Sequence, residues 1–245
     1  MDDSSAVFFR TTAGVSRSNM TETAIRVPRL RLSSECSISW DEIERSVPDR
    51  FEEAVSRYPD RCAVKAGVRA FTYDELNRAA NRIAHAILAL RGDRSEPIAV
   101  LFENGFDAIA AFFGLLKARK FAVTLAPSFP LSRLTQILGD SEPHVIVTNT
   151  RHVELARTLR DQTRAVLNID DSLNLSGDNP GLSVSANDLA ALMYTSGSTG
   201  TPKAVMRAHR DFLHLCDTFA HKRGLTPADK ASLVHSLSFG SAYSD

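Results

Sequence analysis

From Pro48 onward the apolar residues fall into alternating runs, some spaced for helices and some for strands. Phe51, Ala54, Val55 and Tyr58 share one helical face, and Tyr58-Pro59 predicts where that helix stops, because a proline disfavours helical backbone in the residue before it. The segments CAVKAG and RAFTY then predict a hairpin. Thr72 and Glu75 have the spacing of a capping box, in which the Thr hydroxyl meets the free N–H of Glu75 and the Glu side chain reaches back. A long helix follows, with an apolar stripe at Leu76, Ile83, Ile87 and Leu90 and a stop at Gly92.

Beyond Gly92 the two spacings alternate. Strand PIAVLF (97–102) precedes a helix presenting Ile109, Phe112, Phe113 and Leu116, and strand FAVTLA (121–126) precedes a helix from about Ser132. Strand HVIVTN (144–149), a helix from about His152 and strand RAVLNI (164–169) complete the series. Strands that alternate with helices and are almost wholly apolar predict an α/β fold, a parallel sheet flanked by helices on both faces.

Residues 173–188, rich in Ser, Asn, Gly and Asp, read as a linker. After it come strand LAALMYT (189–195), a glycine-rich loop, strand AVMRA (204–208), a helix from about His209 to Lys222 and strand KASLVHSL (230–237). The expected organisation is therefore an N-terminal extension over 1–45, poorly ordered and without assigned chemistry, then a first α/β subdomain over 46–172. The linker and the start of a second α/β subdomain over 189–245 follow.

Composition narrows the function. Lys plus Arg and Asp plus Glu both number 29, so neither the excess of a nucleic-acid binder nor that of an acidic tail is present, and a charged ligand must be met locally. The three cysteines, Cys36, Cys62 and Cys216, are too scattered for a disulfide framework or a metal knuckle. With no secretory leader and no apolar run of membrane-spanning length, a cytoplasmic setting is expected.

The loop between Thr195 and Lys203 holds two glycines, several hydroxyls and a lysine, with no bulky apolar side chain. Glycines let backbone N–H groups approach an anion closely, the hydroxyls of Ser196, Ser198 and Thr199 add donors, and Lys203 adds positive charge. These are the parts of a polyphosphate cradle. It is not a Walker A loop, because Pro202 stands where that motif needs glycine, and Pro202 with the AVMRA run predicts strand, loop, strand rather than strand, loop, helix. On composition alone, a flexible Ser/Gly turn between strands is the favoured reading.

The ordered string YTSGSTGTPK, with LAALM before it and VMRAHRDF after it, resembles the signature of the adenylate-forming superfamily, which includes acyl-CoA synthetases and nonribosomal peptide synthetase adenylation domains. FTYDELNRAANRIAHAIL is similar to the first core motif of an adenylation domain, and LLKARKFAVTLAPSFPLSRLTQILGDSEPHVIVT to the second with its following helix and strand. FEEAVSRYPDRCAV resembles the usual domain opening, so the likeness runs from about Phe51 to Asp245.

The resemblance implies an ATP-dependent, AMP-forming carboxylate ligase. A carboxylate would attack the ATP α-phosphate to give acyl-adenylate and pyrophosphate, and a phosphopantetheine thiol on a carrier protein, or coenzyme A, would then take the acyl group. It assigns the β- and γ-phosphates to Thr195, Ser196, Gly197, Ser198, Thr199, Gly200 and Lys203, with Mg2+ bridging the phosphates and no metal ligand from the protein. The main catalytic lysine is expected beyond Asp245, in the remaining C-terminal half of the domain, so this chain alone is expected to be inactive or very weak. An acyl-CoA or aryl-CoA ligase fragment and an inactive ATP-binding scaffold remain open as alternatives.

Several positions depart from the family pattern. Ala204 replaces a usual Gly, Arg119-Lys120 replaces a usual Ala-Gly, and Ala126 replaces a usual Asp. HSLSFGSAYSD aligns with a motif whose Asp pairs with the substrate α-ammonium, and here that place is Gly240, with Phe239 beside it as an aromatic gate. A buried ammonium without its carboxylate is costly, so the expected substrate is an aryl, hydroxy, keto, fatty or β-amino acid. A compensating carboxylate, or an alignment shifted by one residue, is the other possibility. His209, His214, Cys216 and His221 do not converge on one helical face, which argues against a metal site, and His85 reads as structural.

Overall fold

The computed structural model describes residues 44–196, 202–226 and 228–233; residues 1–43 of the N-terminal extension lie outside them. Helix α1 (Val47–Arg57) begins at Ser46, whose hydroxyl accepts the Asp49 N–H at 3.2 Å while Asp49 accepts the Ser46 N–H at 3.3 Å. Pro48 sits in its first turn, where no N–H is missed. The helix stops at the predicted Tyr58 cap, and buried Phe51 stacks on Phe113 with ring centroids 4.0 Å apart.

Strands β1 (Cys62–Ala66) and β2 (Arg69–Thr72) form the expected antiparallel hairpin. The capping box opening α2 (Tyr73–Arg91) is fully made: Thr72 Oγ1 accepts from Glu75 N at 3.1 Å, and Glu75 Oε2 accepts from Thr72 N at 2.7 Å. Gly92, at φ 62°, ends the helix. Leu76, Ile83 and Ile87 are buried as the stripe predicts, but Leu90 in the last turn is 47% exposed.

Next come β3 (Pro97–Leu101), α3 (Phe106–Lys117), β4 (Phe121–Leu125), α4 (Leu131–Ser141), β5 (Val145–Thr148), α5 (Val153–Thr158) and β6 (Ala165–Asn168). Then follow β7 (Leu189–Ser196), β8 (Pro202–Ala208) and α6 (His209–Arg223). β3 to β8 make one six-stranded sheet of order β6-β5-β3-β4-β7-β8, parallel except for β8, which runs antiparallel to β7 at the edge. Strand alternation splits the core. Ile98 and Val100 point with Leu76, Ile83, Ile87 and Leu115 into one layer, and Ala99 and Leu101 point with Leu134, Ile137 and Leu138 into the other.

Two expectations change. Residues 189–208 do not begin a second sheet, because β7 pairs with the edge of β4 through Ala122↔Ala191 and Val123↔Leu192, completing the first sheet across the linker. Small, fully buried Ala190 and Ala191 allow that close insertion. Residues 230–233, expected in a strand, have no regular secondary structure, and the rest of that segment lies outside the described residues.

Three further features shape the frame. The β7–β8 ladder shifts register between Leu189 and Ala191, so one extra residue enters β7 near Ala190. Gly114 lets α3 cross α2 closely: a Cβ there would lie 2.7 Å from the Ala80 carbonyl oxygen. Arg119 turns the chain after α3 at φ 59°, a left-handed conformation that disfavours side chains. Lys120 beside it is buried, with Nζ 2.5 Å from the Arg94 carbonyl oxygen and 3.1 Å from Glu96, which Arg91 also holds. The Arg119-Lys120 pair thus makes a turn pinned by an inward ammonium.

Candidate functional site

β7 and β8 bring the two ends of the glycine-rich loop together, with Cα partners Tyr194↔Ala204, Thr195↔Lys203 and Ser196↔Pro202. The predicted strand, loop, strand order is what the structure shows. Because β7 runs parallel to β4, the loop leaves the sheet at the carboxyl ends of the parallel strands, the edge at which α/β sheets bind ligands.

Of the expected phosphate-binding residues, Thr195 and Lys203 are exposed and face each other across the ladder, and Thr195 Oγ1 donates to the Lys203 carbonyl oxygen at 3.4 Å. Ser196 is placed by its backbone, opposite Pro202. Gly197, Ser198, Thr199 and Gly200 lie outside the described residues, as do Phe239 and Gly240. The donors in view, the Lys203 ammonium and the Thr195 hydroxyl where the two strands reach the glycine-rich segment, suit an anionic ligand.

Tyr194, one residue before the hydroxyl run, is not among the residues the sequence singles out. It is 6% exposed and donates its hydroxyl to Asp140 Oδ2 at 2.5 Å, from the end of β7 to the end of α4. Burial and the Asp140 carboxylate both push the phenol above its ordinary range, so it stays a donor. Strand alternation alone marks it as inward-facing, beside Leu192, but gives no partner.

At its other end the hairpin is tied to α6. The Ala208 N–H donates to Asp211 at 2.8 Å, and the backbone N–H groups of His209 and Arg210 donate to the carbonyls of Asp188 and Ala186. His209 is buried, and its Nδ1 accepts the Val47 N–H at 3.3 Å. Burial drives its pKa down to about 4 against the opposing pull of Asp188 and Asp49, so the ring is a neutral acceptor at neutral pH. His214, Cys216 and His221 are exposed on α6, and His85 Nε2 lies 3.0 Å from the Asp178 carbonyl oxygen.

A second feature was not legible from residue spacing. β3 passes toward β4 while β5 passes the other way toward β6, so adjacent strands β3 and β5 define a topological switch point. A crevice of about 440 Å³ opens there, lined among others by Phe102, Glu103, Asn104, Ser128 and His152. Arg151 pairs with Glu103 at 2.6 Å, and Asn104 Nδ2 donates to the Leu233 carbonyl oxygen at 3.3 Å, bringing the segment that leads toward Phe239 to this edge. Ala126, where the family pattern has Asp, also lines the crevice. Two strand steps, about 10 Å, separate β3 from β7, so crevice and loop open on one edge of one sheet.

A model of the AMP-binding enzyme family matches residues 51–244. The phosphinothricin tripeptide synthetase PhsC of Streptomyces viridochromogenes is 37% identical over 171 residues, covering 68% of this chain and 16% of that protein. Tyrocidine synthase 2 of Brevibacillus parabrevis is 32% identical over 205 residues, covering 82% of this chain and 6% of that protein. The chain thus spans a small part of the length of these relatives. Among solved structures, the nonribosomal peptide synthetase FmoA3 in its AMPPNP-bound form matches with a TM-score of 0.74 at 26% identity, over 86% of this chain and 22% of that one. The N-terminal subdomain of NpsA from Klebsiella oxytoca shares the fold, with a TM-score of 0.71 at 23% identity over 82% of this chain and 52% of that one. Among the described residues no helix is long and apolar enough to cross a membrane.

Proposed function

This chain belongs to the AMP-binding enzyme family, and on that premise we propose that it forms the N-terminal part of an adenylation domain that activates a carboxylic acid with ATP. The carboxylate oxygen attacks the α-phosphorus, the bond from that phosphorus to the bridging oxygen breaks, and pyrophosphate leaves. A phosphopantetheine thiol on a carrier protein then displaces AMP. The observation that supports this most is the hairpin mouth, where Thr195 and Lys203 sit opposite each other at the carboxyl edge of the sheet. Such a reaction needs charge stabilisation and alignment more than a protein nucleophile, and the Lys203 ammonium meets the charge growing on departing pyrophosphate. Mg2+ would be held by the phosphates.

The substrate we propose lacks an α-ammonium in the usual place, because Gly240 stands where an amino-acid-activating domain carries Asp. An aryl, hydroxy, keto, fatty or β-amino acid avoids leaving that charge unpaired.

Calorimetric titration of the chain with Mg·ATP should show saturable binding that Lys203→Ala weakens about tenfold, the loss of roughly 1.5 kcal/mol from one charge-assisted hydrogen bond. Absence of binding to the wild-type chain would overturn the proposal. Pyrophosphate exchange with a panel of acids, measured on this chain joined to the C-terminal part of the domain expected to carry the catalytic lysine, addresses the substrate: strong exchange with an ordinary α-amino acid alone would overturn the substrate class.

A further inference from the structure

We infer that Tyr194 and Asp140 form a positioning pair that holds the glycine-rich hairpin in register for its anionic ligand, an inference that rests on the phosphate-binding reading of that loop. β4 pairs with β7 only at Ala191 and Leu192. From Met193 to Ser196 the ladder partner of β7 is β8, an edge strand whose residues Lys203 to Arg207 are all exposed. The loop therefore sits at the end of a two-stranded arm, a unit that is marginal in water unless something packs against it.

Tyr194 links that arm to the body. Its ring packs in the core layer that also holds Leu134, Ile137 and Leu138 of α4, and its hydroxyl reaches Asp140 one turn-end further along the same helix. Asp140 occupies a place that helix electrostatics disfavours. It is the penultimate residue of α4, where a carboxylate opposes the partial negative charge of the helix end, and no basic residue lies in that last turn. The phenol donor gives this carboxylate a partner. Burial keeps the phenol protonated, so the link persists through neutral pH.

A merely structural bond would change stability and leave ligand affinity alone; a positioning pair changes ligand affinity and local exchange at the loop beyond any change in global stability. Tyr194→Phe removes the donor with little change of volume, Asp140→Ala removes the acceptor, and Asp140→Asn keeps a carbonyl oxygen that can still accept. Each would be titrated with inorganic pyrophosphate in the presence of Mg2+, melted, and followed by amide hydrogen exchange at Thr195 and Lys203. Tyr194→Phe and Asp140→Ala are expected to exchange faster at those amides and to bind pyrophosphate about tenfold more weakly with melting points close to wild type. Asp140→Asn should recover most of the affinity. Wild-type affinity and exchange in both Tyr194→Phe and Asp140→Ala would overturn the pair. A wild-type chain that binds no pyrophosphate overturns the phosphate reading itself, recognisable because exchange in Tyr194→Phe still rises. If Tyr194→Phe fails to fold, Asp140→Ala against Asp140→Asn decides the matter.

Discussion

His209 Nδ1 accepts the backbone N–H of Val47 at 3.3 Å, a hydrogen bond between residues 162 positions apart that fastens α6 to the start of α1. With the ring's pKa near 4 in the fold and about 6.5 in the unfolded chain, the unfolded state binds more protons between these values. The cost of charging the buried ring is absent above about pH 6.5 and grows as pH falls to about 4, where it reaches on the order of 3 kcal/mol. Urea unfolding from pH 7 to pH 4 should show that slope. His209→Asn, which offers an acceptor that does not titrate, should flatten it; an unchanged slope would assign the acid sensitivity to other groups.

Lys117 is buried within α3, its Nζ 2.6 Å from Glu52 and 5.7 Å from the Phe51 ring centre. Burial pulls its pKa down while Glu52 opposes that shift. Glu52→Ala should cost roughly 3 kcal/mol because it strands a buried charge, whereas Lys117→Met should stay within about 1 kcal/mol of wild type. Equal losses in the two variants, by chemical denaturation, would contradict this ordering.

Gly114→Ala should destabilise by about 1–3 kcal/mol, because a new Cβ would meet the Ala80 carbonyl oxygen at 2.7 Å and the Ile83 Cβ at 2.9 Å. Alanine's helix propensity, worth about 1 kcal/mol, works the other way. A raised thermal midpoint would show that α2 and α3 can separate at no cost.

Local signals carried most of the fold. The Thr72–Glu75 box, the Gly92 stop and the Tyr58-Pro59 boundary each depend on residues within a turn of one another, and each stands where the sequence places it. Periodicity reports which face of an element is buried, not which strand lies beside it, and so a segment that reads as the start of a second subdomain supplies β7, which pairs with β4 in the first sheet. The same limit hid the crevice between β3 and β5, which exists only once strand order is known. It hid the Tyr194 bond to Asp140, 54 residues away, and the burial of His209, whose partner Val47 lies in the first helix. Thr195 and Lys203 stand out in the sequence because hydroxyls, glycines and a lysine without apolar company have no use in a core, and both are exposed at the end of the β7–β8 ladder.

The extra residue near Ala190 sets the phase of the site. Counted outward from Ala208, an unbulged ladder would continue the Leu189↔Ala208 pairing and put Lys203 across from Tyr194. Side chains on paired residues share a face, so the ammonium would turn toward α4 and the inner layer. With the bulge, Lys203 falls across from Thr195, on the opposite face. A single alanine at the base of the ribbon thus acts as a half-turn offset, deciding from a distance which way the cation at the tip looks.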